Sequence, residues 1–232
     1  MTWAAATLGL AAAGCVSENV DAPDFEAGQG QDVAATDVAY PEGPYGFNEG
    51  SIIPDMEFLG YPDFVNRGAE MRVTKLSDFY NPTSTEVYGE DLAYYGLGQP
   101  KPKAIVMLIS SVWCGPCNQE AGNVLPGEYA HYKPLGGQFV SVLIDGKDPG
   151  TPATVDELTA WSTRYQPAYT MTMDPSNYVM AFYEPAFPGN IIIRTSDMKI
   201  IRRVAGVPQA DFWNTFTLVL SGQYQEPLDG AQ

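Results

Sequence analysis

Ala104-Ile105-Val106-Met107-Leu108-Ile109-Ser110-Ser111-Val112-Trp113-Cys114-Gly115-Pro116-Cys117 is the stretch on which the fold turns. It begins as a continuous apolar run of strand length, the pattern of a strand buried on both faces in the middle of a sheet. The two cysteines follow at once, and a polar, helix-compatible segment comes after them. Thiols three positions apart at a strand-to-helix junction can close into a small ring. A thiolate held there is stabilised by unpaired backbone N–H groups and by the helix dipole. That is the physics of a redox site, although Cys-x-x-Cys by itself also occurs in zinc sites.

The segments on either side build the rest of the sheet. Downstream, residues 119–132 can be helical, with Gly122 weakening the helix and Pro126 kinking or dividing it. Residues 139–144 read as a second buried strand that ends in the turn pair Asp145-Gly146. Thr154-Val155-Asp156-Glu157 has the form of a capping box, and Leu158, Trp161 and Tyr165 share one face of the helix it starts. Residues 169–173 alternate as a strand, and Asp174-Pro175 opens a short helix with Val179, Met180, Phe182 and Tyr183 on its core face. Residues 190–194 and 199–205 form a hairpin around Ser196-Asp197, and 209–220 is a terminal amphipathic helix carrying Phe212, Trp213, Phe216 and Leu220 on one side.

Upstream, residues 50–59 and 71–76 suggest another hairpin. A Gly- and Pro-rich loop follows, with one helical turn near 90–95; its Tyr88, Tyr94 and Tyr95 could pack over the domain or meet a partner. Strands alternating with helices, then a hairpin and a helix, predict an α/β fold. Its central mixed sheet should carry helices on both faces.

Of the 232 residues, 45% are hydrophobic and 12% aromatic, enough for a sizeable core. A net charge of -16 argues against nucleic acid as a partner, because phosphate binding needs a basic surface. Residues 16–49 hold eight acidic side chains and no Lys or Arg, with no period that would bury a face, and are expected to be a disordered tether. Three cysteines cannot all pair, so Cys15 needs its own account. It ends the apolar stretch Leu8-Gly9-Leu10-Ala11-Ala12-Ala13-Gly14, which resembles a secretory leader closed by a bacterial lipobox and makes Cys15 the expected lipidation site. The residue three before it is Ala12 where Leu is usual, and no Lys or Arg precedes the run. The expected organisation is therefore a leader at 1–15, a tether at 16–49, a folded domain at 50–222 and a tail at 223–232.

Taken together, these residues resemble the thioredoxin superfamily, in its exported TlpA/ResA-like branch, across residues 50–220. Three features carry the resemblance: Trp113-Cys114-Gly115-Pro116-Cys117 after a buried strand, the Ile53-Pro54-Asp55 lead-in with its hairpin-forming segment, and Phe187-Pro188 just before the final hairpin. The resemblance implies a thioredoxin-like fold with an N-terminal β-hairpin extension. It also implies roles: Cys114, at an exposed helix start, as attacking thiolate, and the more buried Cys117 as the thiol that resolves the mixed disulfide. Pro188 matches a cis proline facing the disulfide, with the Phe187 backbone turned to an extended substrate segment, and Trp113 packs beside the thiols.

Two departures matter. Thioredoxin has an acid beneath the cysteines where this chain has Leu108, so another base is needed; Glu120, three residues after Cys117, is the candidate, with an ordinary surface Glu as the alternative. Pro126 also lies further from the second cysteine than the family's helix proline. The implied activity is thiol-disulfide exchange of two electrons with disulfides or dithiols of exported proteins. It needs no cofactor or metal, and it draws on a membrane or soluble electron donor.

Two other activities compete. A peroxidase of the peroxiredoxin kind needs a hydroxyl and a proline arranged before its cysteine; Ser111 precedes Cys114 by three, but no suitable Pro lies upstream within the strand. Copper-binding relatives of this fold use wider cysteine spacing and a nearby His, whereas the only histidine here is His131, and a tetrahedral zinc site would lack two ligands. Met171, Met173 and Met180 are read as core residues.

Overall fold

The structure, a computed structural model, describes residues 39–68, 70–174, 176–182 and 186–227. Cys15 and the tether up to residue 38 lie outside the described residues, as does Tyr183. In chain order the elements are β1 (Glu57–Tyr61), α1 (Phe64–Arg67), β2 (Arg72–Lys75), α2 (Ala93–Gly96), β3 (Ala104–Ser111), α3 (Gly115–Asn123), α4 (Leu125–Tyr132), β4 (Gly137–Asp145), α5 (Val155–Tyr165), β5 (Thr170–Met173), β6 (Gly189–Arg194), β7 (Lys199–Ala205) and α6 (Ala210–Leu220). Short 3-10 turns link several of them. The strands form one seven-stranded sheet in the order β2-β1-β5-β4-β3-β6-β7. β3, β4 and β5 run parallel, while β1, β2, β6 and β7 join antiparallel, so the sheet is mixed.

β3 sits near the middle, and all eight of its residues are buried. Alternation along the strand sends Ile105, Met107 and Ile109 into one core and Val106 and Leu108 into another. The first core lies under the β1–β2 hairpin and the 76–95 segment. The second is filled from α4 and α6 by Tyr129, Tyr132, Phe212, Trp213 and Phe216. At roughly 1.5 to 3 kcal/mol for each large apolar side chain buried, this double-sided strand anchors the end of the sheet where the cysteines sit.

The expected hairpin at the N-terminus forms, with Glu57 opposite Lys75 and Gly60 opposite Arg72. It is built into the main sheet by pairing of β1 with β5. Gly60 makes that pairing possible: a Cβ there would lie 2.2 Å from the Met171 carbonyl oxygen and 2.5 Å from Thr172 Cα.

Several boundaries differ from the sequence reading. The helix after the cysteines begins at Gly115 rather than 119 and is divided at Val124, so Pro126 falls in the first turn of α4, where its missing N–H costs no bond. The turn after Asp174 starts at Tyr178; Val179 and Phe182 are buried, but Met180 is 40% exposed and is not a core residue. Tyr88 is buried and Tyr95 half-buried against the same core, and the two stack at 5.1 Å, which assigns them to packing. Tyr95 also donates to Asp78, whose carboxyl burial pushes up to about 6.

Residues 39–49, expected within the tether, are docked on the domain. Tyr40 donates to the Ile53 carbonyl, Phe47 meets Phe182 edge-on at 5.0 Å, and Glu49 accepts the Arg203 backbone N–H at 2.8 Å. Acidic composition concealed this, because the anchoring is done by a few aromatics and by backbone groups on the outer edge of β7. The start of the expected tail is likewise held, by ion pairs of Glu226 with Arg194 and Lys199.

Candidate active site

β3 delivers the chain to the end of the sheet, where Ser111 to Cys114 turn it into α3. Every turn of this loop is hydrogen-bonded: Val112 N–H to the Asp145 carbonyl (3.0 Å), Trp113 N–H to Gly146 (3.2 Å) and Cys114 N–H to Ser111 (3.1 Å). Cys114 is the N-cap of α3, and its sulfur accepts the Cys117 N–H at 3.1 Å. Cys114 and Cys117 form a disulfide with a Cα separation of 5.3 Å. The pair therefore lies where the helix leaves its first N–H groups unpaired.

Phe187 precedes a cis Pro188, as the resemblance implied. Its ring packs against the apolar cluster that contains both cysteines and meets Trp113 edge-on at 5.9 Å. Cys114 lies within that cluster. Expected at an exposed helix start, it retains only 2% exposure in the disulfide form, against 0% for Cys117. Trp113 itself is 41% exposed, and its indole N–H is held by Asp145 Oδ2 at 3.0 Å.

Glu120 is not a surface residue. It is fully buried on α3, one turn beyond Cys117, and among the described residues neither of its oxygens has a hydrogen-bond partner. Burial pushes its carboxyl up to about 8. The nearby Asn190 amide works weakly against that rise, without a hydrogen bond of ordinary length to the carboxyl. Leu108, in the place of thioredoxin's acid, is buried and pairs in register with Asn190.

No family model matches the chain, and no curated protein matches it by sequence. Solved structures do resemble it. A candidate thiol:disulfide interchange protein DsbE from Chlorobium tepidum is 20% identical, with a TM-score of 0.51 over 77% of this chain and 99% of that one. The thioredoxin domain of a thiol-disulfide oxidoreductase from Bacteroides vulgatus is 16% identical, with a TM-score of 0.50 over 75% of this chain and 98% of its own. A thiol:disulfide interchange protein from Bacteroides sp. is also 16% identical, at 0.50 over 76% and 92%.

The fold is thioredoxin-like.

Within this thioredoxin-like fold, the expected site residues Cys114, Cys117, Trp113 and Phe187 come together, with Pro188 beside them and Glu120 on the buried side of the same helix. Ser111 is buried, its hydroxyl without a partner among the described residues. His131 is exposed on α4, edge-on to Tyr132. Among the described residues no group of three or more His, Cys, Asp or Glu is close enough to hold a metal ion.

Three residues escaped the sequence reading. Asp145, read only as half of a turn pair, holds the Trp113 indole and the Gly150 N–H. Asn190, read only as the start of a strand, donates to the Gly206 carbonyl at 3.2 Å and leaves its Oδ1 buried without a partner among the described residues. Asn118 bonds the carbonyls on either side of Trp113. A polar residue inside an otherwise apolar strand was the one available signal, at Asn190.

Proposed function

We propose that this chain is a thiol-disulfide oxidoreductase that exchanges two electrons between its Cys114–Cys117 pair and disulfides or dithiols of exported proteins. The observation that carries the reading is the pair itself: a disulfide closed on the first turn of α3, with the cap sulfur facing the Cys117 N–H and Phe187 packed against the apolar cluster that contains both cysteines. In the reducing direction, the Cys114 thiolate attacks one sulfur of a substrate disulfide and releases the other as a thiolate, forming a mixed disulfide. Cys117 then loses its proton and attacks Cys114 Sγ. The second substrate sulfur leaves, and the Cys114–Cys117 disulfide closes.

Glu120 is the proposed acceptor of the Cys117 proton. One helical turn separates the two, and both are fully buried in the disulfide form. Ring closure leaves the proton on Glu120, where the oxidised protein holds it up to about pH 8. In the opposite direction the same carboxyl returns the proton to Cys117 as the disulfide opens. Trp113 and Phe187 form the aromatic rim against which a substrate segment would lie, and Pro188 fixes the backbone of that rim.

The address belongs to the same reading: an exported, extracytoplasmic domain, anchored to a bacterial membrane through lipid on Cys15. Among the described residues no helix is long and apolar enough to cross a membrane. A Cys117→Ser variant tests the activity, because it stops after the first attack. It is expected to retain exported proteins as mixed disulfides that a reductant releases, while the wild-type protein reduces or oxidises a test disulfide. An empty trap together with a wild-type pair inert toward the test disulfide refutes the reading.

A further inference from the structure

We infer that Asn118, oriented by Tyr165, is a positioning residue that sets the reactivity of Cys114, and that it matters most once the disulfide has opened. The inference rests on the redox role proposed for the pair. Asn118 follows Cys117 directly and is partly buried on α3. Its side-chain amide donates to the Val112 carbonyl at 3.0 Å and to the Cys114 carbonyl at 2.7 Å, so one NH2 group bridges the peptide units on both sides of Trp113. The Cys114 carbonyl also accepts the Asn118 backbone N–H at 3.1 Å, the first bond of the helix. The remaining side-chain atom, Oδ1, accepts the Tyr165 hydroxyl at 2.6 Å. With its oxygen engaged by a donor, the amide must turn its NH2 group toward the two carbonyls.

Tyr165 is in turn fixed from several sides. It ends α5, the helix started by the Thr154 capping box, and its ring meets Trp161 at 4.8 Å and lies under the Arg164 guanidinium at 5.1 Å. Gly122, one turn on from Asn118, leaves room for it: a Cβ there would already touch the ring at 3.4 Å. A chain of contacts therefore runs from α5 through Tyr165 and Asn118 to the backbone that carries the Cys114 sulfur.

The two redox states depend on this chain unequally. In the disulfide, the covalent ring between Cys114 and Cys117 holds the loop by itself. In the dithiol that link is gone, and hydrogen bonds alone keep Cys114 at the N-cap, with its sulfur toward the Cys117 N–H. Charge-assisted bonding of that thiolate depends on alignment. Loss of the Asn118 amide therefore destabilises the reduced state more than the oxidised one. The reaction that reads this is exchange with glutathione: dithiol plus oxidised glutathione gives the disulfide and two molecules of reduced glutathione.

The test compares wild type, Asn118→Ala, Tyr165→Phe and the control Gln119→Ala, whose parent side chain is exposed on the neighbouring position. Asn118→Ala is expected to shift the glutathione equilibrium toward the disulfide by about three- to tenfold, a potential lower by about 15 to 30 mV. It is also expected to slow alkylation of the reduced protein at pH 6 by about three- to tenfold, through a smaller thiolate fraction. Tyr165→Phe should move both quantities the same way by less, and Gln119→Ala neither. A purely structural role would lower the melting temperatures of oxidised and reduced forms equally and leave both readouts within twofold; that result in Asn118→Ala overturns the inference. Should Asn118→Ala fail to fold, Tyr165→Phe decides by the same criterion. A wild-type pair that does not exchange with glutathione refutes the redox reading, while alkylation still tests the positioning role.

Discussion

Glu120→Gln separates the buried carboxyl's effect on stability from its effect on chemistry. In the unfolded chain this group ionises near its ordinary 4.5, whereas in the folded oxidised protein it stays neutral up to about 8. Below pH 4.5 both states carry the proton, and the carboxyl adds no pH dependence. Between 4.5 and about 8 only the unfolded chain releases it, so stability falls as pH rises; above about 8 the loss levels off. Each tenfold in proton affinity corresponds to about 1.36 kcal/mol, so the folded protein loses on the order of 3 to 5 kcal/mol between pH 4.5 and pH 9 through this residue. Gln cannot ionise and should remove that slope. Its amide adds a pH-independent cost of about 1 to 3 kcal/mol for a buried unsatisfied donor, so the slopes are the quantity to compare. Denaturant unfolding of both oxidised proteins at pH 5, 7 and 8.5 provides them. The wild-type protein should lose about 2 to 4 kcal/mol more than the variant across that range, visible as a shift in melting temperature of about 5 to 15 °C. The variant should also slow the second, Cys117-dependent step of exchange while leaving formation of the mixed disulfide unchanged. Parallel stability profiles would refute the reasoning, because they would mean that Glu120 ionises in the folded protein as it does in the unfolded chain.

Gly60→Ala should weaken the junction between the hairpin and the main sheet, since the added Cβ would overlap the Met171 carbonyl oxygen and Thr172 Cα. A loss of about 3 kcal/mol or more is expected, about 6 to 12 °C in a thermal melt, with alkylation of Cys114 unaltered; a melting temperature within 2 °C of wild type would contradict the register of β1 against β5. Cys15→Ser should move the protein expressed in a bacterial host from the detergent phase to the aqueous phase and abolish incorporation of labelled palmitate. Labelling that persists in the variant would remove Cys15 from the lipidation role.

Much of the fold was legible because its signals are local. The apolar run at 104–109 reads as a strand buried on both faces, and it is one. The Thr154 capping box forms as read, with Thr154 and Glu157 exchanging bonds across the first turn of α5. The limits of α3 were misread for an equally local reason: Gly115 and Pro116 are poor interior helix residues but are tolerated in a first turn. Met180 went wrong because helical spacing defines a face without stating what that face meets. Glu120 stood between surface and interior on sequence grounds, since a helix position becomes buried only when another element covers it.

For this protein, the sequence by itself determined the order of strands and helices, the mixed character of the sheet and the placing of two thiols at a helix start, because periodicity, capping and turn chemistry act over a few residues. Only the tertiary structure decided how those thiols are surrounded. Phe187 packs against the cluster that holds both cysteines, burial holds a proton on Glu120, Tyr165 orients Asn118 from another helix, and residues 39–49 close against β7. Each of these joins side chains far apart in sequence. Desolvation and alignment, on which thiol and carboxyl reactivity depend, arise only when the chain has folded around them.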